Sequence, residues 1–174
     1  MSVYRFTELP IKDNIGCLIV PESVALKTRL ALQSFKGIDG RHEGLIYWLG
    51  RRINNDSVIV SSVIPYCEHS RQSVMVPEDT IGNIMKKIRS LGLGIIAQVH
   101  SHPGNDTRHS DGDDKLILMP FEGMFSVVIG NYGDGGITIQ SGAGVHQFQN
   151  KRWVQIRQDC VNAMKITPTI INLK

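Results

Sequence analysis

The sequence is poor in cysteine. Its three thiols, Cys17, Cys67 and Cys160, lie far apart and include no C-x-x-C pair. Such an odd, widely spaced set forms no disulfide framework. It favours a reducing compartment, the cytoplasm, where a free cysteine is usually a small apolar residue. The sequence also excludes a zinc deaminase, because that chemistry needs H-x-E together with P-C-x-x-C and the chain contains neither.

Long apolar runs and strong net charge are missing too. The N-terminal stretch MSVYRFTELPIKDN interleaves charges and a proline with its apolar residues, so it lacks the apolar core of a signal peptide. No run approaches the roughly 20 apolar residues that span a bilayer. The net charge is only +3, and basic clusters such as Arg51 and Arg52 are not interleaved with aromatics. We therefore expect neither a membrane nor a nucleic acid as partner.

What is present is the composition of an ordinary soluble domain, with 174 residues of which 41% are hydrophobic and 20% charged. Hydrophobic periodicity predicts helices at 21–35, between Pro77 and Gly92, and at 110–119. Strands are predicted at 3–9, 15–20, 43–50, 57–64, 95–99, 125–129, 137–140 and 145–148. Residues 65–76 are predicted to form a loop. The order implies an α/β (α+β) protein with helices packed on a mixed sheet, and the apolar tail after residue 150 is expected to dock on the core.

Histidine is concentrated in one segment, 98–114, which reads QVHSHPGNDTRHSDGDD. Residues two apart in a strand point to the same side, so His100 and His102 can present both imidazoles to one metal ion. Asp113 as third ligand would leave the fourth tetrahedral position to water, as in catalytic zinc sites. Ser110 and Asp113 also have the spacing of a capping box, which would hold both beside the strand end. Two histidines near a strand end also suit a polar rim, so this spacing alone leaves that alternative open.

The full spacing resembles a known signature. His100-x-His102-x₇-Ser110-x₂-Asp113 is similar to the H-x-H-x₇-S-x₂-D motif of the JAMM (MPN-plus, JAB) metallopeptidases. That family places a glutamate at the start of an upstream apolar strand, with glycine seven residues later, as in the segment Glu43 to Gly50. The resemblance implies a cytidine-deaminase-like sandwich with a mixed sheet and flanking helices. It also implies a single domain over 1–174, with a core at about 14–150 and a C-terminal extension at 151–174.

One position departs from the family pattern, since many relatives carry a small residue three positions after the glutamate and this chain has Ile46. The choice of Glu43 depends on its context, because other glutamates also lie upstream of the signature. Glu68 falls in a proline-flanked loop, while Glu22 and Glu78 suit helix N-termini, where acids are common.

The resemblance implies a chemistry for each of these residues. His100, His102 and Asp113 would hold a zinc ion (Zn²⁺), which lowers the pKa of bound water to about 7. Glu43 would act as general base and then general acid, a role worth roughly 10²–10⁴-fold in rate. Ser110 would donate its hydroxyl to the oxyanion of the tetrahedral intermediate.

The resemblance also implies a substrate class: the C-terminal tail of a ubiquitin-like protein, cut at an amide or isopeptide bond. The compact chain resembles stand-alone bacterial JAB peptidases that accompany ubiquitin-like activating and conjugating enzymes, including those of antiphage operons. Two alternatives remain: a JAMM peptidase that processes a ubiquitin-fold sulfur carrier, and a non-catalytic MPN scaffold. Scaffold relatives typically lose zinc ligands, whereas this sequence keeps all of them.

The remaining four histidines are expected to lie outside the main chemistry. His109 sits in the signature loop, where it could touch substrate, although a loop histidine is more often merely exposed. His42, His69 and His146 are expected at the surface or rim. His42 adjoins Glu43, so it could support that side chain.

Overall fold

The computed structural model describes Arg5 and residues 7–117 and 119–172. Two α-helices lie in this part of the chain, α1 (Glu22–Ser34) and α2 (Glu78–Ser90). The strands are β1 (Ile11–Lys12), β2 (Leu18–Pro21), β3 (Lys36–Gly37), β4 (Gly40–Arg41), β5 (Leu45–Ile53), β6 (Asp56–Val63), β7 (Glu68–His69), β8 (Val74–Met75), β9 (Gly94–Ser101), β10 (Phe125–Ile129), β11 (Gly144–Gln149), β12 (Arg152–Ile156) and β13 (Met164–Thr167).

Nine of these strands form one mixed sheet in the order β1-β12-β11-β10-β9-β5-β6-β2-β13. The central strand β9 runs antiparallel to β5 on one side and parallel to β10 on the other. Two short hairpins, β3–β4 and β7–β8, lie apart from this sheet. The mixed α/β class expected from the sequence is confirmed. Within the described ranges, no helix is long and apolar enough to cross a bilayer.

The sheet is buried on both faces, which explains the nearly continuous apolar run in β5. Ile46 and Trp48 point into a core covered by α1, whereas Leu45 and Tyr47 point into a second core that includes Ile88 of α2. We call these the α1 core and the α2 core. The alternation follows from the two-residue period of a strand. Ile46, the departure from the family pattern, is 1% exposed and packs in the α1 core.

A buried hydrogen bond between Trp48 and Thr28 in the α1 core allows this packing to be tested. The indole Nε1 of Trp48 donates to the hydroxyl of Thr28 at 2.7 Å, and both side chains are buried. Thr28→Val keeps the shape but leaves the indole N–H without an acceptor. We therefore expect it to lower the free energy of unfolding by about 1–3 kcal/mol. Urea denaturation measures the loss. Thr28→Ser keeps the hydroxyl and is the matched control, so an equal loss in both variants would contradict this role.

Most of the elements expected from periodicity are confirmed. The structure shows both long helices, the β5–β6 hairpin, and strands at the predicted positions of β2, β9, β10 and β11.

Three predictions of local structure are wrong. The predicted strand at 3–9 lies partly outside the described residues, and the described residues in it, 5 and 7–9, are not in a strand. Residues 65–76 are not a plain loop, since they contain the β7–β8 hairpin. The predicted strand at 137–140 is replaced by a 3₁₀ turn closed by reciprocal hydrogen bonds between Thr138 and Ser141.

The predicted helix at 110–119 is also wrong, although Leu118 lies outside the described residues. Only a 3₁₀ turn forms there, at Asp113–Lys115. Acidic side chains around this turn bind groups outside it: Asp113 lies against His100 and Asp114 against Arg5. Such side-chain contacts offer the segment an alternative to a regular helix.

The C-terminal segment contributes two strands to the sheet. β12 pairs with β11 and β1, and β13 pairs with β2 at the opposite end. Trp153, Val154 and Met164 are buried. Docking of the tail on the core is therefore confirmed.

Candidate metal centre

Three predicted ligands meet at the carboxyl end of β9. His100 is the penultimate residue of that strand and His102 follows its end. Their Nε2 atoms are 3.2 Å apart, and each lies 3.2 Å from an oxygen of the Asp113 carboxylate. The exposed fractions of His100, His102 and Asp113 are only 0%, 5% and 7%. These three side chains can hold one metal ion.

The distances and donor atoms fit a first-row metal. Ligand atoms about 2.0–2.1 Å from a tetrahedral zinc lie roughly 3.3 Å from one another, close to the spacing seen here. The Nδ1 atom of His102 faces the backbone carbonyl of Asp106 at 2.8 Å. A proton on that Nδ1 leaves the Nε2 lone pair free to bind a metal.

The loop after β9 is held by the strand beside it. The backbone N–H of His102 donates to the carbonyl of Ile129 at 3.0 Å, and the N–H of Tyr132 donates to the carbonyl of His102 at 2.8 Å. Further along, the loop passes so close to Gly144 that an added Cβ would lie 1.8 Å from the Thr107 carbonyl oxygen. Glycine is required at this close approach.

Ser110 and Asp113 are linked in the reciprocal manner of a capping box. The backbone N–H of Ser110 donates to the Asp113 carboxylate at 2.6 Å, and the N–H of Asp113 donates to the Ser110 hydroxyl oxygen at 3.2 Å. Because the Ser110 oxygen acts as acceptor here, its own proton remains available to a substrate.

Glu43 precedes β5, which pairs with β9. Leu45 lies opposite His100, and the N–H of Ser101 donates to the Gly44 carbonyl at 3.1 Å. Continuing this antiparallel register places Glu43 opposite His102. The Glu43 side chain is buried, and its backbone N–H donates to the carbonyl of Ser70 at 2.8 Å. The structure therefore brings all five residues of the proposed constellation to one region.

Burial and the nearby imidazoles set the ionisation of Glu43 and Asp113. It raises the pKa of Glu43 from 4.5 to about 7, while His102 lowers that pKa and Asp113 raises it by smaller amounts. Burial alone would also raise the pKa of Asp113. The nearby His100 and His102 imidazoles nevertheless hold that pKa well below its usual range. Asp113 is thus ionised and available as a metal ligand, and Glu43 is poised to exchange a proton near neutral pH.

The raised pKa of Glu43 predicts a pH-dependent stability in the metal-free protein. Its folded-state pKa of about 7 exceeds the unfolded value of 4.5, so ionisation of Glu43 destabilises the fold. This cost is absent below about pH 4.5, grows between pH 4.5 and 7, and is complete above pH 7. Glu43→Gln should therefore raise the unfolding free energy by on the order of 2 kcal/mol at pH 8. Urea titrations with chelator at pH 8 and pH 5 measure this, with Glu68→Gln as control. Equal stabilities at pH 8 would contradict it.

Several histidine expectations are wrong. His109 is 1% exposed and His146 is 0% exposed, and their ring centroids lie 4.5 Å apart. His109 belongs to the loop of residues 102–114, which we call the metal loop. His42 is also buried, with its ring between Asp39 and His69. His146 lies in β11, whose residues are buried on both faces of the sheet, so the polarity of this side chain did not reveal that it is buried.

Gln98 and Ser126 were not identified from the sequence. Gln98 lies two residues before His100, on the same face of β9, and its Nε2 donates to the Asp113 carbonyl at 3.2 Å and to the Ser126 hydroxyl at 3.0 Å. The two-residue period was the available signal for Gln98. Ser126 lies on the neighbouring strand β10, so only the strand pairing reveals its position.

The fold and site together define a mixed α/β protein with a buried group of side chains, at a strand end of its sheet, that can hold a metal ion. No protein-family model matches the chain. Over 124 residues the chain is 36% identical to the probable metalloprotease y4jG of Sinorhizobium fredii (strain NBRC 101917 / NGR234), covering 69% of this chain and 75% of that protein. The chain belongs to the family of this probable metalloprotease.

A solved structure agrees in fold. The solution structure of protein DSY2949 from Desulfitobacterium hafniense matches with a TM-score of 0.62 over 87% of this chain and 95% of that one, at 14% identity. At this identity the likeness shows the fold alone.

Proposed function

We propose that the protein is a zinc peptidase of the JAMM type that hydrolyses an amide or isopeptide bond. One observation carries the proposal: the buried His100, His102 and Asp113 donors lie 3.2 Å apart, and the buried Glu43 lies two residues before Leu45, the strand partner of His100. Membership in a metalloprotease family supports the reaction class.

Zinc is the metal we assign. Two imidazole nitrogens and one carboxylate oxygen are typical of catalytic zinc, which keeps one position open. The ion would supply Lewis-acid activation of water and of the scissile carbonyl.

The chain's own residues would move the protons. Glu43, with a pKa of about 7, can accept a proton from the attacking water and return it to the leaving amine. Ser110 retains a hydroxyl proton that can be donated to the developing oxyanion.

For the substrate we propose the C-terminal tail of a ubiquitin-like protein or its conjugate, by analogy with the family that the motif resembles. An extended tail can bind by pairing with a strand edge. The β7–β8 hairpin is the candidate edge, because the backbone N–H of Glu43, the proposed general base, donates to the carbonyl of Ser70 in this hairpin.

The test is cleavage by purified protein of a linear ubiquitin-like fusion and of a lysine-linked conjugate, before and after metal removal. We expect a chelator to abolish cleavage and zinc to restore it. Preference for the linear fusion would favour processing of a precursor or sulfur carrier over deconjugation. Cleavage that survives complete metal removal, or a wild-type protein that binds no metal, would overturn the proposal.

A further inference from the structure

We propose that Arg5, Asp114 and His109 are positioning residues that hold the metal loop and set the affinity of the centre for its ion. The inference rests on the metal centre of the proposed function. The described structure brings a side chain from the start of the chain to a loop more than 100 residues away.

Arg5 contacts the metal loop at several points. Its two terminal nitrogens bind the two Asp114 carboxylate oxygens at 3.2 and 2.9 Å, and Nη1 also donates to the Ser110 carbonyl at 3.0 Å. A two-point arginine–carboxylate pair is among the strongest and most directional hydrogen-bonded contacts in proteins. The Arg5 side chain is only 15% exposed, so solvent screens this pair less than an ordinary surface ion pair.

His109 connects Asp114 to the interior. Its Nδ1 lies 2.9 Å from the Asp114 carboxylate, and its Nε2 lies 2.7 Å from the Ser126 hydroxyl. The carboxylate can only accept, so Nδ1 donates, and in the neutral ring Nε2 accepts from Ser126. Ser126 in turn accepts from Gln98, which also donates to the Asp113 carbonyl. Every donor in this chain of contacts has an acceptor.

The network restrains Asp113 on two sides. Gln98 holds its backbone carbonyl, while Arg5 and His109 hold the side chain of the next residue, Asp114. The carboxylate of Asp113 is therefore held where it meets both imidazoles. The Ser110 N–H also donates to the Asp113 carboxylate, and the network anchors this three-residue 3₁₀ turn to Gln98, Ser126 and Arg5.

The experiment measures zinc affinity directly, by competition with a chromophoric chelator on the full chain. Arg5→Ala and His109→Phe should each weaken zinc binding by about 10–100-fold, the usual loss when partners of metal ligands are removed. Arg5→Lys keeps the charge but loses the two-point geometry, so its affinity should lie between those of Arg5→Ala and the wild type. Arg157→Ala is the matched control, because Arg157 pairs with Asp13 and Asp159 away from the loop.

The melting temperature of each metal-free variant separates positioning from general stability. For Arg5→Ala we expect a nearly unchanged metal-free melting temperature with weakened zinc binding, and a kcat that falls more than KM rises. Zinc affinity within twofold of wild type in both Arg5→Ala and His109→Phe would overturn the inference and leave the proposed function intact. A wild-type protein that binds no zinc would overturn both.

Discussion

Glu43→Gln is expected to keep a full equivalent of zinc while losing roughly 10²–10⁴-fold in kcat. The amide is nearly isosteric with the carboxyl but cannot take a proton from water. Glu43 precedes β5 and does not belong to the cluster of three ligand residues, so its replacement leaves the metal donors in place. Metal content by elemental analysis and single-turnover cleavage of a ubiquitin-like fusion measure the two properties separately.

Glu22→Gln and Glu78→Gln are the controls for this variant, because both residues are upstream glutamates that lie exposed. Neither should change turnover by more than twofold. A Glu43→Gln protein purified without metal would instead identify Glu43 as a ligand. Wild-type turnover in that variant would remove Glu43 from the chemistry.

Asp113→Ala should show the opposite behaviour and lose the metal itself. The carboxylate is the one negative charge among the three donors, and it lies 3.2 Å from both imidazoles. Changes to partners of metal ligands already cost about 10–100-fold in metal affinity, so loss of a ligand should cost more than 100-fold. Cleavage should then fall to background at stoichiometric zinc. Chelator competition measures the affinity.

Asp159→Ala is the comparison for this change, since Asp159 is an exposed carboxylate in an ion pair with Arg157. It should retain both zinc and activity. Stoichiometric zinc of wild-type affinity in Asp113→Ala would exclude Asp113 from the ligand set. Circular dichroism of the metal-free protein checks that the variant is folded.

Together with the stability prediction, these variants describe a site whose catalytic carboxyl lowers the stability of the folded protein. A carboxyl whose pKa is raised by burial is suited to proton transfer near neutral pH, and it costs stability whenever it is ionised. The same substitution, Glu43→Gln, is expected to stabilise the metal-free protein and to inactivate the enzyme. A structural role for Glu43 would predict destabilisation instead.

The sequence by itself determined the elements whose patterns are strong and local. Helix α2 follows from a single apolar stripe, β5 and β6 from apolar runs around a polar turn, and the grouping of His100 with His102 from the two-residue period of a strand. Asp113 was proposed as a ligand from its position beside the two histidines, and Glu43 through resemblance to a family motif; the structure brings both to one region.

Only the tertiary structure decided what surrounds those residues. The 110–119 segment has the composition of a short helix, yet its acids turn toward His100 and Arg5, which are distant in sequence. Burial of His109 and His146 likewise depends on the contact that brings the metal loop against β11 and β12. Periodicity reports which side of an element is apolar, but contacts between distant segments depend on strand order and register, so local sequence cannot specify them.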